Sequence, residues 1–173
     1  EGYRVRVQVQ GSNLNDIEYW RDDFLKVEAI SDDYHHTDHY LKLTKNFVTN
    51  QLSEDDDVSK ADQIDYLNKS IDYFKGKTQF EQEDFTNTVF EKPEQRVAFD
   101  DYKTIYAQEK QIDINKDFDI NHTAVKKNQK IYKSVLKLDK NFHVYIHGDR
   151  SQIERGKDDD GRKYYKIFYR EEA

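Results

Sequence analysis

The chain has no cysteine and no methionine, one proline, one tryptophan and six glycines in 173 residues. Without cysteine there is no disulfide framework, no thiolate nucleophile and no cysteine-ligated zinc, and a reducing compartment is compatible with the chain. No apolar run approaches the roughly 18 residues that a membrane-crossing helix needs. Glycine- and serine-rich linkers, low-complexity tracts and internal repeats are also lacking. The missing methionine, with a strand-like pattern already running from Glu1, points to a piece cut from a longer protein.

Charge and aromatic residues are abundant. Charged side chains make up 36% of the chain, hydrophobic ones 35% and aromatic ones 14%, a composition that folds as one globular domain or two small ones. The net charge of −7 is unevenly placed. Residues 1–121 hold 15 Lys+Arg against 27 Asp+Glu, whereas residues 122–173 hold 13 against 8. An acidic body repels a phosphate backbone, so contact with a polyanion is expected from the last fifty or so residues.

Periodicity orders the chain. Tyr3, Val5, Val7 and Val9 alternate with polar residues and predict a half-buried strand. Ile17, Trp20 and Phe24 fall at helical spacing. A helix over 34–52 places Tyr40, Leu41, Thr44, Phe47, Val48 and Leu52 on one stripe, and the Glu54–Asp57 run ends it. Ser59 with Asp62 three residues on forms a capping box for a helix carrying Ile64, Leu67, Ile71 and Phe74, which stops at Gly76. A short helix over 82–90 buries Phe85 and Val89, and Pro93 opens another that runs to about Lys110. After a boundary near 111–119 come one or two helical turns over 122–128. Strands are then expected at 130–138, 142–147 and 163–170, with Asp149 capping a short helix that ends at Gly156 and Asp160-Gly161 forming a tight turn.

A three-residue loop at Asp139, Lys140 and Asn141, with Asn141 in the left-handed region, sets Leu138 opposite Phe142 and Leu136 opposite Val144. Tyr132, Leu136, Leu138, Phe142, Val144 and Ile146 then face inward, and Lys133, Val135, Lys137, His143, Tyr145 and His147 outward. The expected fold class is α+β. Residues 1–110 form a mainly helical acidic sub-domain with an N-terminal strand, and residues 111–173 a basic sub-domain with a small antiparallel sheet.

The outer face offers the clearest chemistry. Lys126, Lys127 and Lys130 lead into Lys133 and Lys137, with Lys140 at the turn, Arg150 beyond it, and His143, Tyr145 and His147 alongside. Cations interleaved with rings suit a phosphate backbone and its bases or sugars. Lysines also keep ordinary strand faces solvated and protect edges, so the pattern alone is compatible with both roles. His35 and His39, four apart, could share a face with Asp38 or Asp32. Two imidazoles without an HExxH pattern fall short of a zinc site, and no metal is expected. The acidic runs at 54–57 and 158–160 lack the ligand spacing of an EF-hand. No GxSxG elbow, phosphate-cradling GxxxxGK[ST] loop or dinucleotide glycine fingerprint is present, so a non-enzymatic protein without a cofactor is expected.

The stretch AVKKNQKIYKSVLKLDKNFHVYIHGDRSQIERGKDDDGRKYYKIFYREE (residues 124–172), with upstream IEYWRDDFL, VSKADQIDYLNKSIDYFK and FDDYKTIYAQE, closely resembles the carboxy-terminal half of the bacterial NdpA-like nucleoid-associated protein family. Its strongest segments are SVLKLDKNFHVYIHGDR and YYKIFY. The resemblance implies a cytoplasmic protein that associates with the nucleoid and binds DNA, with no reaction attached. It also implies an amino-terminal domain outside this chain, which would be a partner. It assigns no base-reading residues, so the basic face rests on charge and periodicity. The expected partner is DNA, held through phosphates without sequence preference. The alternative is an interaction module using Tyr164, Phe168 and Tyr145, with self-association into a homo-oligomer left open. A metal-dependent hydrolase built on the histidines and acidic loops is the remaining, weaker reading.

Overall fold

The computed structural model describes residues 24–25, 31–52, 58–110, 112–114, 117–132, 135–147 and 149–172. The chain divides into two units, residues 1–32 and residues 33–173. In the first unit Phe24 and Leu25 are both exposed. The strand expected from Tyr3, the Trp20 helix, the acidic run at 54–57 and Lys133 lie outside the described residues.

The second unit is α+β, with helices joined to three separate two-stranded antiparallel ribbons. Helix α1, Asp33–Asn46, runs into a π-turn at Phe47–Gln51 closed by Leu52 N–H on the Phe47 carbonyl at 3.1 Å. Thr49 Oγ1 donates to the Lys45 carbonyl at 2.8 Å and competes with the regular ladder in the widened turn. Every residue of the expected inner stripe, from Tyr40 to Leu52, is buried. Helix α2, Lys60–Gly76, starts on the expected capping box. The Asp62 amide donates to Ser59 Oγ at 3.2 Å, and the Ser59 amide to Asp62 Oδ2 at 2.8 Å. Helix α3, Gln82–Val89, buries Phe85 and Val89, and α4, Pro93–Lys110, opens on the proline. Between α2 and α3, strand β1, Gln79–Phe80, pairs with β2, Phe118–Asp119. Helix α5, His122–Gln129, is capped by Asn121 Oδ1, which accepts from the amides of Thr123 at 3.0 Å and Ala124 at 3.2 Å.

Two cores hold these elements. The larger is aromatic. Tyr40 lies 4.2 Å from Phe80, ring centre to ring centre, and Phe80 stacks on Phe118 at 4.7 Å. Phe74, Phe85, Phe90 and Phe99 close around them at offset and edge-on geometries that favour ring quadrupoles. The smaller core joins Ala61 and Ile64 of α2 to Leu136, Ile146 and Ile153 from the carboxy-terminal ribbons. Helix α2 therefore carries the aromatic core along most of its length and seats the ribbons on its first turns. Asn68 Nδ2 reinforces the seat by donating to the Ile146 carbonyl at 3.0 Å.

The first carboxy-terminal ribbon pairs β3, Val135–Leu138, with β4, Phe142–Tyr145, in the expected register: Leu138 opposite Phe142 and Leu136 opposite Val144. Three local details differ from expectation. Residues 130–131 form a turn closing α5 where the strand is expected to begin, and the described strand is Val135–Leu138. The left-handed residue of the loop is Asp139 (φ 51°), not Asn141; aspartate tolerates that region because its short polar chain bonds locally. Phe142, assigned inward, is 62% exposed, since the ribbon tip extends beyond the helix that covers Leu136.

The larger difference is the segment after Asp149. In place of a helix ending at Gly156 there is one 3₁₀ turn, Arg150–Gln152, followed by β5, Ile153–Lys157, paired with β6, Lys163–Ile167. Gly156 sits inside β5, opposite Tyr164, and a side chain there would overlap the end of the Tyr164 ring. The glycine admits a ring rather than stopping a helix. Gly161, at φ 80°, makes the turn.

Candidate nucleic-acid interface

Helix α5 brings Lys126, Lys127 and Lys130 to its carboxyl end, where cations also complement the helix dipole. They differ in their commitments. Lys127 Nζ donates to Tyr34 Oη at 3.1 Å, lies 3.9 Å from Asp38 Oδ1 and sits over the Tyr34 ring. The Tyr34 hydrogen bond, then the Asp38 charge, raises its pKa above the ordinary lysine value. Asp38 is buried at this junction, accepting from Asn128 Nδ2 at 2.8 Å and pairing with Lys42 at 2.6 Å. Burial opposes ionisation of Asp38, but the hydrogen bonds from Lys42 and Asn128 and the charges of Lys42 and Lys127 outweigh it and hold the carboxyl below its usual range. Lys127 is thus part of the clasp between α1 and α5. Lys126 and Lys130 are exposed and have no carboxylate partner among the described residues.

On the β3–β4 ribbon, Lys137 stands opposite His143 and Val135 opposite Tyr145. The alternation puts these four on one face, away from the Leu136–Val144 pair that packs on α2. Lys137, His143 and Tyr145 are exposed, Lys140 projects from the tip, and the Tyr145 and His147 rings lie nearly parallel with centres 6.4 Å apart. Neither Lys137 nor Lys140 has a carboxylate partner among the described residues.

Arg150 is placed differently. Its Nε lies 2.7 Å from Asp62 Oδ1, and the same guanidinium donates to Ser59 Oγ at 3.4 Å and to the Ile153 carbonyl. It ties the start of β5 to the start of α2 and leaves little of its charge to solvent. Of the ten residues singled out by charge and periodicity, the structure therefore gathers Lys137, Lys140, His143, Tyr145 and His147 on one ribbon and Lys126 and Lys130 at the end of α5. Lys127 and Arg150 face carboxylates of the front portion.

A second cationic face escaped the sequence reading. On the β5–β6 ribbon Arg155 is opposite Tyr165 and Lys157 opposite Lys163, all on one face. Like charges directly opposed on a ribbon destabilise it unless solvent or an anion intervenes, and none of these cations has a carboxylate partner among the described residues. Elsewhere on this ribbon the charges are matched: Arg162 with Asp158 at 2.8 Å, and Lys166 with Glu154 at 3.6 Å. The stretch KDDDGRK carries the signal, an Asp-Gly turn flanked by cations; the turn and its downstream strand are expected from it, and the upstream strand is not.

His35 and His39 stack with ring centres 5.9 Å apart, while His36 stacks on Phe118. Among the described residues no three metal-ligating side chains converge, and no helix is long and apolar enough to cross a membrane.

A family model described as nucleoid-associated protein YejK matches residues 5–162. No match is found among curated proteins or among solved structures.

Proposed function

The chain belongs to the nucleoid-associated protein YejK family, and from that premise we propose that it binds DNA, or organises it, through phosphate contacts made by the end of α5 and the outer face of β3–β4. The reading places it on the bacterial nucleoid in the cytoplasm as a module without a reaction of its own. The observation that carries it is the set of exposed lysines Lys126, Lys130, Lys137 and Lys140, without a carboxylate partner among the described residues, beside the exposed rings of His143, Tyr145 and His147. Contacts of this type read the backbone rather than base edges. A salt titration of duplex binding tests it. Four phosphate contacts give a log K against log salt slope of about −3.6. Binding that ignores both salt and charge reversal at Lys137 would remove this surface.

A second reading, a protein-interaction module that need not touch DNA, is favoured by one feature. Tyr164, Ile167, Phe168 and Tyr169 are all exposed on β6 and its continuation, a concentration of rings common at interfaces. Light scattering over a concentration series separates the two, because self-association through β6 raises the apparent mass with concentration.

A further inference from the structure

Two grooves of about 440 Å³ mark the described surface, and their charge is opposite. The one beside β1–β2 is lined by Asp33, Glu81, Asp117 and Asp119 and repels anions. The other lies between the end of α1, the first turns of α2, the turn at Lys130 and Ile131 that closes α5, and Val135 of β3. Lys45, Lys60 and Lys130 are on its wall, and among the described residues no carboxylate lines it. Its remaining lining is mostly aliphatic, from Ile64, Leu67, Ile131 and Val135. Gln63 also lines it, at 3% exposure. The Gln63 side-chain carbonyl accepts from Lys60 Nζ at 2.7 Å, which leaves its amide N–H groups without a protein partner among the described residues.

Each feature restricts the occupant. Three ammonium groups ask for a phosphate, as compact point charges do. The aliphatic floor asks for a flat or apolar body, because a phosphate alone leaves it wet. An acyl chain would cover that floor but bury the Gln63 amide unpaired, which disfavours it. A nucleobase covers the floor and offers ring nitrogens or carbonyls to the amide. The volume falls in the range of about 300–1,000 Å³ usual for small-molecule sites. We propose that this groove binds a single unpaired nucleotide, with its base over Ile64, Leu67, Ile131 and Val135, its edge on Gln63 and its phosphate among Lys45, Lys60 and Lys130. The nucleotide is either free or part of a single strand. The proposal rests partly on the nucleic-acid reading, since Lys130 belongs to both surfaces, but it can stand or fall alone.

Methyl NMR on the 173-residue chain decides it, with deoxyadenosine monophosphate, a short oligothymidylate, inorganic phosphate and decanoate as separate probes. The expected result is that the mononucleotide shifts the methyls of Ile64, Leu67, Ile131 and Val135. Lys60→Glu and Gln63→Leu should each weaken that binding about tenfold, while Lys92→Glu, at an exposed lysine outside both surfaces, leaves it unchanged. Tighter binding of the oligothymidylate at the same methyls assigns the site to a strand, and weaker binding to a free nucleotide. Lys60 is exposed on the first turn of α2, so its variant keeps the test valid should Gln63→Leu misfold. No methyl shift at millimolar nucleotide overturns the proposal, as does a response to decanoate or inorganic phosphate equal to that of the nucleotide. If duplex binding is absent while the nucleotide shifts persist, the groove stands and the ribbon reading falls. Duplex binding without nucleotide shifts gives the reverse.

Discussion

His39 sits on α1 between two demands that pull its charge the same way. Its Nδ1 is buried without a hydrogen-bond partner. Burial first, and then the positive charge of Lys42, lowers its pKa below the ordinary histidine value, with Asp38 opposing. A depressed pKa means the unfolded chain binds the proton more readily, so the contribution to stability is present above about pH 6.5 and is lost as pH falls below it. Asp38, also held below its ordinary value, adds a second loss only below about pH 3.9. Urea midpoints should therefore decline in two steps on acidification. His39→Gln should flatten the upper step and leave the lower one in place. A variant that declines as steeply as the parent between pH 7 and pH 5.5 would show that other groups set the upper step. Neither residue was legible as pH-sensitive, because the sequence shows Asp38 and His39 as neighbours but neither how deeply each is buried nor which partners surround it.

Helix α2 is the element on which the ribbons are hung, and Asp62 serves it twice: it completes the capping box with Ser59 and receives Arg150 at 2.7 Å. Asp62→Ala should cost about 0.5–2 kcal/mol, most of it from the lost half of the capping box, because a partly exposed ion pair contributes little. Arg150→Ala should cost less in that background than in the parent, because only its contacts to Ser59 Oγ and the Ile153 carbonyl are then left to lose, and thermal melts of the two single variants and the double variant check the coupling. The capping box was readable because it spans three residues of sequence. The Arg150 bridge was not, because its partners are 88 and 91 residues away. The same division runs through the fold. Helices α1 to α5 follow from local spacing, and the β3–β4 register from one short loop. Strand β5 is five residues long, with a single buried apolar residue, Ile153, and a glycine at its fourth position. Alone it carries no period-two signal, and it becomes a strand only when β6 folds back and lays Tyr164 across Gly156.

At the scale of the whole molecule, the charge division survives folding in altered form. The acidic front portion reaches into the basic segment through Asp38 and Asp62, which remove Lys127 and Arg150 from the free cations. In return, the fold exposes Arg155, Lys157 and Lys163 on a ribbon that was not anticipated. On the proposed DNA-binding reading, two cationic faces on one acidic chain pose a quantitative question: does one duplex engage β3–β4 alone, or both ribbons? Each phosphate contact adds about −0.9 to the log K against log salt slope, so recruiting Arg155, Lys157 and Lys163 would take it from about −3.6 to about −6.3. The Lys137→Glu, Lys140→Glu double variant should weaken binding to any duplex sequence and flatten the slope. The Lys157→Glu, Lys163→Glu double variant should do so only if the second ribbon touches the same duplex. The double reversal leaves like charges opposed, whereas Lys157→Glu alone sets a carboxylate against Lys163; for that single variant an unchanged salt slope with a raised melting temperature would identify the ribbon as a solvated edge and confine DNA to β3–β4. Loss of binding from the β5–β6 reversal alone, with the β3–β4 reversal silent, would move the interface to the second ribbon.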